Sequence, residues 1–477
     1  MRTRMSRRLL LFLFCMAPAL AAAQDHIARL PLPVAQALAQ AGIPEASVGI
    51  YVQDVTAERP LIAVGDERAL NPASTVKLLT TFAALDQLGP AYQWTTEVYT
   101  TGLLQGDVLV GDLILKGYGD PRMTLENFWL MLRSLRARGI REIRGDLVLD
   151  RSYFATDDID PGDFDGEPTR PYNTPPDALL VNFKAVRLQF VPDAEHRLLK
   201  IIAEPALPQV PVLNNVTLDN AACGDWVSRL NLTALGDKSS ARLLFGGNYS
   251  LACGEKERSY SVLGHAQYVH ALMTLLWHEL GGAFGGGVRD AETPAGAQRL
   301  LAYQTQTLAE IVRDINKFSN NVMARQLYLT LGAIVLGAPG SAEKSARAIR
   351  QWLAARRLSF AELALENGSG LSRVERISAR NMAQLLLSAQ KSAIMPEFVA
   401  SLPLVAVDGT MKKRLAASQI AGHAHIKTGT LSGVRAIAGY VLDRKGRMMV
   451  VVFMVNHARA AGAQAAQDAL LNWVYSR

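Results

Sequence analysis

Apolar and polar positions divide the chain into three stretches. Near the start, residues 46–54 alternate and are rich in β-formers, and residues 61–64 repeat the pattern after a turn at Arg59-Pro60. Together they predict two antiparallel strands. Asn71-Pro72-Ala73-Ser74-Thr75-Val76-Lys77 then opens an apolar run over residues 78–85. The helix predicted there is apolar on nearly every side except a stripe of Ser74, Lys77 and Thr81, which is the pattern of a core helix. Asn71 suits the N-cap and Pro72 the first helical position. Ser74 would then sit in the first turn, where backbone N–H groups lack an intrahelical partner.

From about residue 94 to 301 the pattern breaks into short strand-like pieces (95–99, 112–115, 146–149, 186–190, 199–203) between loops rich in Gly, Pro and Asp. One helix is clear at 125–138, ending at Gly139. Residues 157–176 hold five prolines and five aspartates and predict a surface loop. The last third is helical again, at 308–317, 322–331, 342–356 and 379–387. Ser319-Asn320-Asn321 lies at the joint between the first two. Strands follow at 425–430, 436–442 and 448–455, and an amphipathic helix at 461–475 closes the chain.

The two outer stretches, residues 24–93 and 302–477, together make about one large α/β domain. Residues 94–301 then read as an insertion, divisible into 94–117 plus 193–301 and, separately, 118–192. The expected architecture is a split catalytic domain with an accessory β-rich module looped out after the Ser74 helix.

Composition adds a compartment. The first 23 residues have the layout of a secretory signal peptide: Arg2, Arg4, Arg7 and Arg8, an apolar centre, then Ala21-Ala22-Ala23. Cleavage removes four arginines and no acid, so net charge falls from +7 to about +3. A general basic surface for nucleic acid is therefore not expected. An exported chain would retain Cys223 and Cys253, which fit either one disulfide or two unpaired structural thiols. His265, His270 and His278 flank an apolar helical run without metal-ligand spacing, and no metal or cofactor is expected.

The chemistry rests on Ser74 and Lys77, which at i and i+3 share a helix face. They offer a nucleophile beside an amine, although the stretch alone fits equally a lysine snorkelling off a core helix. Ser-x-x-Lys recurs at Ser341–Lys344 and Ser388–Lys391, so the pattern alone is weak. Its partners single out Ser74: only there do a Ser-x-Asn (Ser319-Asn320-Asn321) and a Lys-Thr-Gly (Lys427-Thr428-Gly429) both follow.

Ser-x-x-Lys, Ser-x-Asn and Lys-Thr-Gly in that order resemble the signature of penicillin-binding proteins and serine β-lactamases. The gap between Ser74 and Ser319, about half of the 477 residues, resembles one branch in particular. That branch is the class C low-molecular-mass penicillin-binding proteins, the D-alanyl-D-alanine carboxypeptidase/endopeptidases. Leu88-Gly89-Pro90, Gly119-Asp120-Pro121, Gly368-Ser369-Gly370-Leu371-Ser372-Arg373 and Thr430 extend the likeness over nearly the whole mature chain. Two departures are Asn367, where the family usually has aspartate, and Asn320, at a variable position.

The resemblance implies a penicillin-binding transpeptidase/β-lactamase-like α/β domain with a central antiparallel sheet flanked by helices. It implies catalytic roles for Ser74, Lys77, Ser319 and Asn321, with Lys77 as the base. No histidine has a claim on that role, and a lysine is brought towards neutrality by desolvation and a nearby like charge, here Lys427. Lys427, Thr428 and Thr430 would receive the substrate carboxylate, and Gly429 would let substrate lie against the strand edge. The N–H groups of Ser74 and Thr430 would form the oxyanion hole. Arg373 would meet the free carboxylate of the peptide stem, its plain alternative being a surface arginine after a Gly-rich turn. Expected partners are peptidoglycan peptides ending in D-Ala and β-lactams as covalent inhibitors, with peripheral membrane contact through the last helix also open. A β-lactamase or esterase on the same core, and a non-catalytic peptidoglycan-binding module, are the competing readings.

Overall fold

The computed structural model describes residues 29–155 and 159–477; the expected leader, 1–23, lies outside the described residues. At the centre is a five-stranded antiparallel sheet in the order Ala424–Leu431, Val434–Leu442, Met448–Asn456, Val48–Asp54, Ile62–Val64. The first predicted strand thus pairs with one from the end of the chain, joining the two outer stretches of sequence in one sheet. In the middle strand, Met449, Val451, Phe453 and Val455 face a layer formed by the helices Leu32–Gln40 and Gln464–Tyr475. Val450, Val452 and Met454 face the opposite helical layer. A strand covered on both faces reads as one apolar run, which is why its two-residue period is hidden in the sequence.

The second layer holds Lys77–Leu88, Leu308–Phe318, Asn321–Leu336, Ala342–Ala355 and Ala379–Gln390. Phe82, on the first of these, is fully buried and packs edge-on against Trp352 at 5.1 Å and tilted against Phe398 at 5.3 Å. Truncating such a residue costs about 3–5 kcal/mol, so the helix behind Ser74 is fixed by packing.

Its start differs from expectation. Asn71 does not cap an α-helix beginning at Pro72. Residues Ala73–Val76 form a 3-10 turn and the α-helix begins at Lys77, which puts Ser74 outside the α-helix proper. Ala73 has φ 44°, in the left-handed region, and Asn71 Oδ1 accepts from the Ala73 N–H at 2.8 Å. Asn71 is itself held from both sides: its N–H donates to Asn456 Oδ1 (2.7 Å) and its Nδ2 to Ser372 O (2.9 Å).

Residues 94–301 leave and rejoin this layer side by side. Gln93–Thr100 and Gln298–Thr307 form an antiparallel pair, with Gln93 opposite Thr307 and Thr100 opposite Gln298. Beyond that pair, residues from Val98 to Phe284 build a second apolar core around Phe128, Phe190, Phe245, Tyr268 and Trp277. Four β-sheets and the helices Leu125–Arg136 and His265–Glu279 surround it. Cys223 and Cys253 are disulfide-bonded there, the first of the two alternatives. One segment crosses back: Phe154 and Ala178 pack into the first core, and the side chain of Gln326 bonds both the N–H and the C=O of Asp177. Of the predicted loop at 157–176, the described part, 159–176, contains only one short helical turn, Pro171–Asn173. Among the described residues no helix is long and apolar enough to cross a membrane. The buried face of Gln464–Tyr475, on which membrane contact was an open reading, packs on the sheet through Leu470, Leu471 and Val474.

Candidate active site

Three elements converge on Ser74. The 3-10 turn presents Ser74, the following helix presents Lys77 one turn on, and the joint between two helices presents Ser319 and Asn321. Ser319 ends Leu308–Phe318 with φ 56° and ψ 37°, and Asn320 caps the next helix by accepting from the Met323 N–H at 3.0 Å. A left-handed serine between two packed helices is strained and persists only where its surroundings fix it. The sheet's outer strand supplies Lys427, Thr428, Gly429 and Thr430.

Lys77 is completely buried. Its Nζ lies 3.0 Å from Ser74 Oγ and 2.6 Å from Asn321 Oδ1, and it also donates to the Ser369 carbonyl. Burial, and then the neighbouring Lys427, hold its pKa well below the ordinary lysine value, against an opposing pull from Glu375. Lys427, equally buried, donates to Ser319 Oγ and to Thr428 O, both at 2.8 Å, and desolvation pushes it down to about 7. Ser74, Asn321 and Ser319 line a cleft of about 360 Å³, and through them the cleft meets the two buried lysines in separate groups, Ser74–Lys77–Asn321 and Ser319–Lys427. Thr428, Gly429 and Thr430 form one wall of that cleft, with Arg435 beside them opposite Thr430 in the sheet.

Gly429 is placed differently from expectation. A Cβ there would come within 2.7 Å of Pro72 O and 3.0 Å of Ser74 N, so the glycine admits the Ser74 turn against the strand. Gly370 does the same from the other side, where a Cβ would meet Ala73 O at 2.1 Å. Arg373 stands apart from the Ser74 cleft. It is exposed, lies 4.7 Å over the Phe164 ring, and lines a neighbouring cavity of about 690 Å³ with Asn367 and Leu371. Asn367 accepts from the Ser369 N–H and hydroxyl and donates to Leu371 O, so this departure from the family pattern closes a local turn.

Several residues serve the site in ways that their sequence context does not announce. Ser369 contributes a backbone carbonyl. Glu375 is fully buried and accepts from the N–H groups of Glu366, Asn367 and Gly368, which fixes the loop carrying Ser369. Thr410 accepts from the Thr428 hydroxyl at 2.8 Å, on a turn held by the Lys317–Asp408 ion pair. The two extra Ser-x-x-Lys sequences do other work: Ser341 caps a helix and Ser388 accepts from Arg356. Among the described residues no group of His, Cys, Asp and Glu is arranged to hold a metal ion.

A buried lysine against a serine hydroxyl, under a sheet edge bearing a second buried lysine, defines the class of serine acyl-transfer enzymes that use lysine in place of histidine. The chain belongs to the D-Ala-D-Ala carboxypeptidase 3 (S13) family, whose pattern matches residues 31–476. It is a serine-type D-Ala-D-Ala carboxypeptidase of that family. It is 25% identical over 417 residues to D-alanyl-D-alanine carboxypeptidase DacB of Haemophilus influenzae, covering 87% of this chain and 86% of the relative. With a D-alanyl-D-alanine carboxypeptidase from Actinomadura sp. strain R39 the identity is 28% over 446 residues, covering 88% and 80%. The crystal structure of penicillin binding protein 4 from Haemophilus influenzae shares the fold, with a TM-score of 0.77, 24% identity and coverage of 93% and 99%.

Proposed function

We propose that Ser74 is the acylated nucleophile of an exported peptidoglycan carboxypeptidase, with Lys77 as its general base. The observation that carries this is the pairing of Lys77. A neutral amine has two N–H donors and one lone pair. Two groups around Nζ, Asn321 Oδ1 and Ser369 O, can only accept, so they take both donors and leave the lone pair for the Ser74 hydroxyl. Proton transfer to Lys77 then accompanies attack on the carbonyl carbon of the penultimate D-Ala. The Ser74 and Thr430 N–H groups stabilise the oxyanion. Ser319, in contact with Lys427, passes the proton to the departing amine. Lys427, Thr428 and Thr430 receive the terminal carboxylate, and water hydrolyses the acyl-enzyme.

The same acylation accounts for covalent inhibition by β-lactams; one relative's structure was determined in complex with a β-lactam. No carboxylate lines the cleft among the described residues, which supports a slowly hydrolysed adduct over rapid β-lactam turnover. Cutting cross-links as an endopeptidase needs the same acyl donor with a larger leaving group. Residues 24–93 and 302–477 form the catalytic domain, and 94–301 the accessory module. The layout of residues 1–23 supports cleavage on export and a periplasmic location.

Ser74→Ala is expected to abolish both D-Ala release from a D-Ala-D-Ala pentapeptide and the benzylpenicillin adduct seen by mass. Lys77→Arg is expected to lose at least ~10³-fold in both rates, because a guanidinium stays charged. Labelling that survived Ser74→Ala, or full activity in Lys77→Arg, would remove these assignments.

A further inference from the structure

A cavity of about 750 Å³ lies between the 159–177 segment, residues 234–238 and the start of the helix His265–Glu279. It shares no lining residue with the Ser74 cleft. Its walls are largely apolar, formed by Pro161, Pro168, Pro176, Leu235 and Leu263.

The polar groups gather at one end. Asp177 is fully answered there: Arg151 donates to Oδ2 through Nε and Nη2 at 2.7 and 2.5 Å, and the Leu179 N–H donates to Oδ1 at 2.8 Å. Three further features favour a negative guest. Lys184, 9% exposed, donates to a neutral acceptor, Leu263 O, at 2.9 Å. The His265 side chain is 13% exposed, but both ring nitrogens are buried and neither has a hydrogen-bond partner among the described residues; Asp177 Oδ2 is 3.6 Å away. The helix begins at Gly264 with no side-chain cap, leaving first-turn N–H groups for a guest. At the other rim Asp237 accepts from Ser239 and Ser240, and Lys238 is also engaged. Desolvation pushes Lys184 down to about 8 and His265 to about 4, in each case against the pull of Asp177, so at neutral pH His265 offers a neutral ring N–H as a donor.

We propose that this cavity binds a short peptide by its free C-terminal carboxylate, held between Lys184, His265 and the helix N-terminus, with the apolar walls taking the peptide body. The choice of a peptide rests on the reading of the enzyme as one that works on stem peptides. Asp177 at the cavity floor is bonded through its backbone to Gln326, on the same helix that Asn321 begins, at 2.9 and 2.8 Å. The cavity floor is thereby hydrogen-bonded to the catalytic layer.

The test titrates full-length protein, acylated with benzylpenicillin so that the Ser74 cleft is blocked, with diacetyl-L-lysyl-D-alanine and with its C-terminal amide. Binding is read from the ring NMR signals of His265. Because that readout is local, failure to form the penicillin adduct counts against Ser74 and leaves the titration valid. The expected result is saturable movement of the His265 signals by the acid, at least tenfold weaker binding of the amide, and at least tenfold weaker binding of the acid to Lys184→Met. Should that variant fold poorly, the acid–amide comparison in the unmutated protein decides alone. Unmoved His265 signals, equal binding of acid and amide, or an equal response to inorganic phosphate at the same concentration would overturn the proposal.

Discussion

Lys77 Nζ and Asn321 Oδ1 stand 2.6 Å apart across 244 residues of sequence. The contact joins the helix before the insertion to one after it, and in the proposed mechanism it sets which way the lysine lone pair points. Asn321→Ala is expected to lower kcat/KM for D-Ala release by ~10²–10³-fold, the range of a removed orienting hydrogen bond in an active site. Its melting temperature should stay close to that of the parent, because Asn321 is the first residue of its helix and the cap is Asn320. Asn321→Asp places a negative charge on the amine and favours the ammonium, so the acid limb of the pH–rate profile should move to higher pH. Steady-state kinetics between pH 5 and 10 measure both.

Glu375 works on the same amine in the opposite direction. Its charge raises the Lys77 pKa, which burial and Lys427 lower. Glu375→Gln keeps an oxygen for the N–H groups of Glu366, Asn367 and Gly368 while removing the charge. Lys77 then loses its proton more easily, and the acid limb of kcat/KM should move to lower pH by about 0.5–1 unit. A limb that stays in place shows that Glu375 is uncharged in the working enzyme.

Gly370→Ala tests how closely the Ser74 turn is held. The new methyl would lie 2.1 Å from Ala73 O and 2.6 Å from Ser74 N at φ +82°. Gly446, at φ +76°, has open space around it and serves as the control. Both alanines carry the backbone penalty of the left-handed region, about 1 kcal/mol, but only Gly370→Ala should slow penicillin acylation, by ~10²-fold or more. Equal acylation rates in the two variants would mean the turn yields without displacing Ser74.

The Cys223–Cys253 bridge closes a loop with a sequence separation of 30, for which chain entropy gives roughly 3–4 kcal/mol. Both sulfurs belong to the second core. The double variant Cys223→Ser/Cys253→Ser should therefore unfold at lower temperature while its acylation rate at 25 °C stays within about twofold. A large loss of acylation would show that the second core sets the geometry of the first.

What the sequence made legible was what side chains announce in order. Ser74, Lys77, Ser319, Asn321 and Lys427 could be read because each is a functional side chain in a short motif, and the motifs occur in sequence. Ser369 and Gly370 stand in a run that carries the family likeness, but their roles could not be read, since a carbonyl oxygen and the absence of a Cβ announce no chemistry. Glu375 carries no motif of its own, because what it holds is a run of backbone N–H groups. The start of the Ser74 helix was misplaced for a related reason. Asn-Pro is a sound helix opening, but Ala73 sits at φ 44° with Gly370 and Gly429 packed on its turn, a tertiary setting that local propensity does not register. The central sheet was visible as strands, yet its order required pairing residues 48–54 with 448–456, a contact between opposite ends of the chain.

Gln93 opposite Thr307 means that the chain returns to the spot from which it departed. Apart from the segment that carries Phe154, Asp177 and Ala178 back onto the first core, the excursion joins the catalytic layer as one surface hairpin would. Growth, trimming or exchange of the parts past that seam that do not cross back would leave the separation of Ser74 from Ser319 unchanged. Selection can therefore reshape what the enzyme reaches for without disturbing how it cuts.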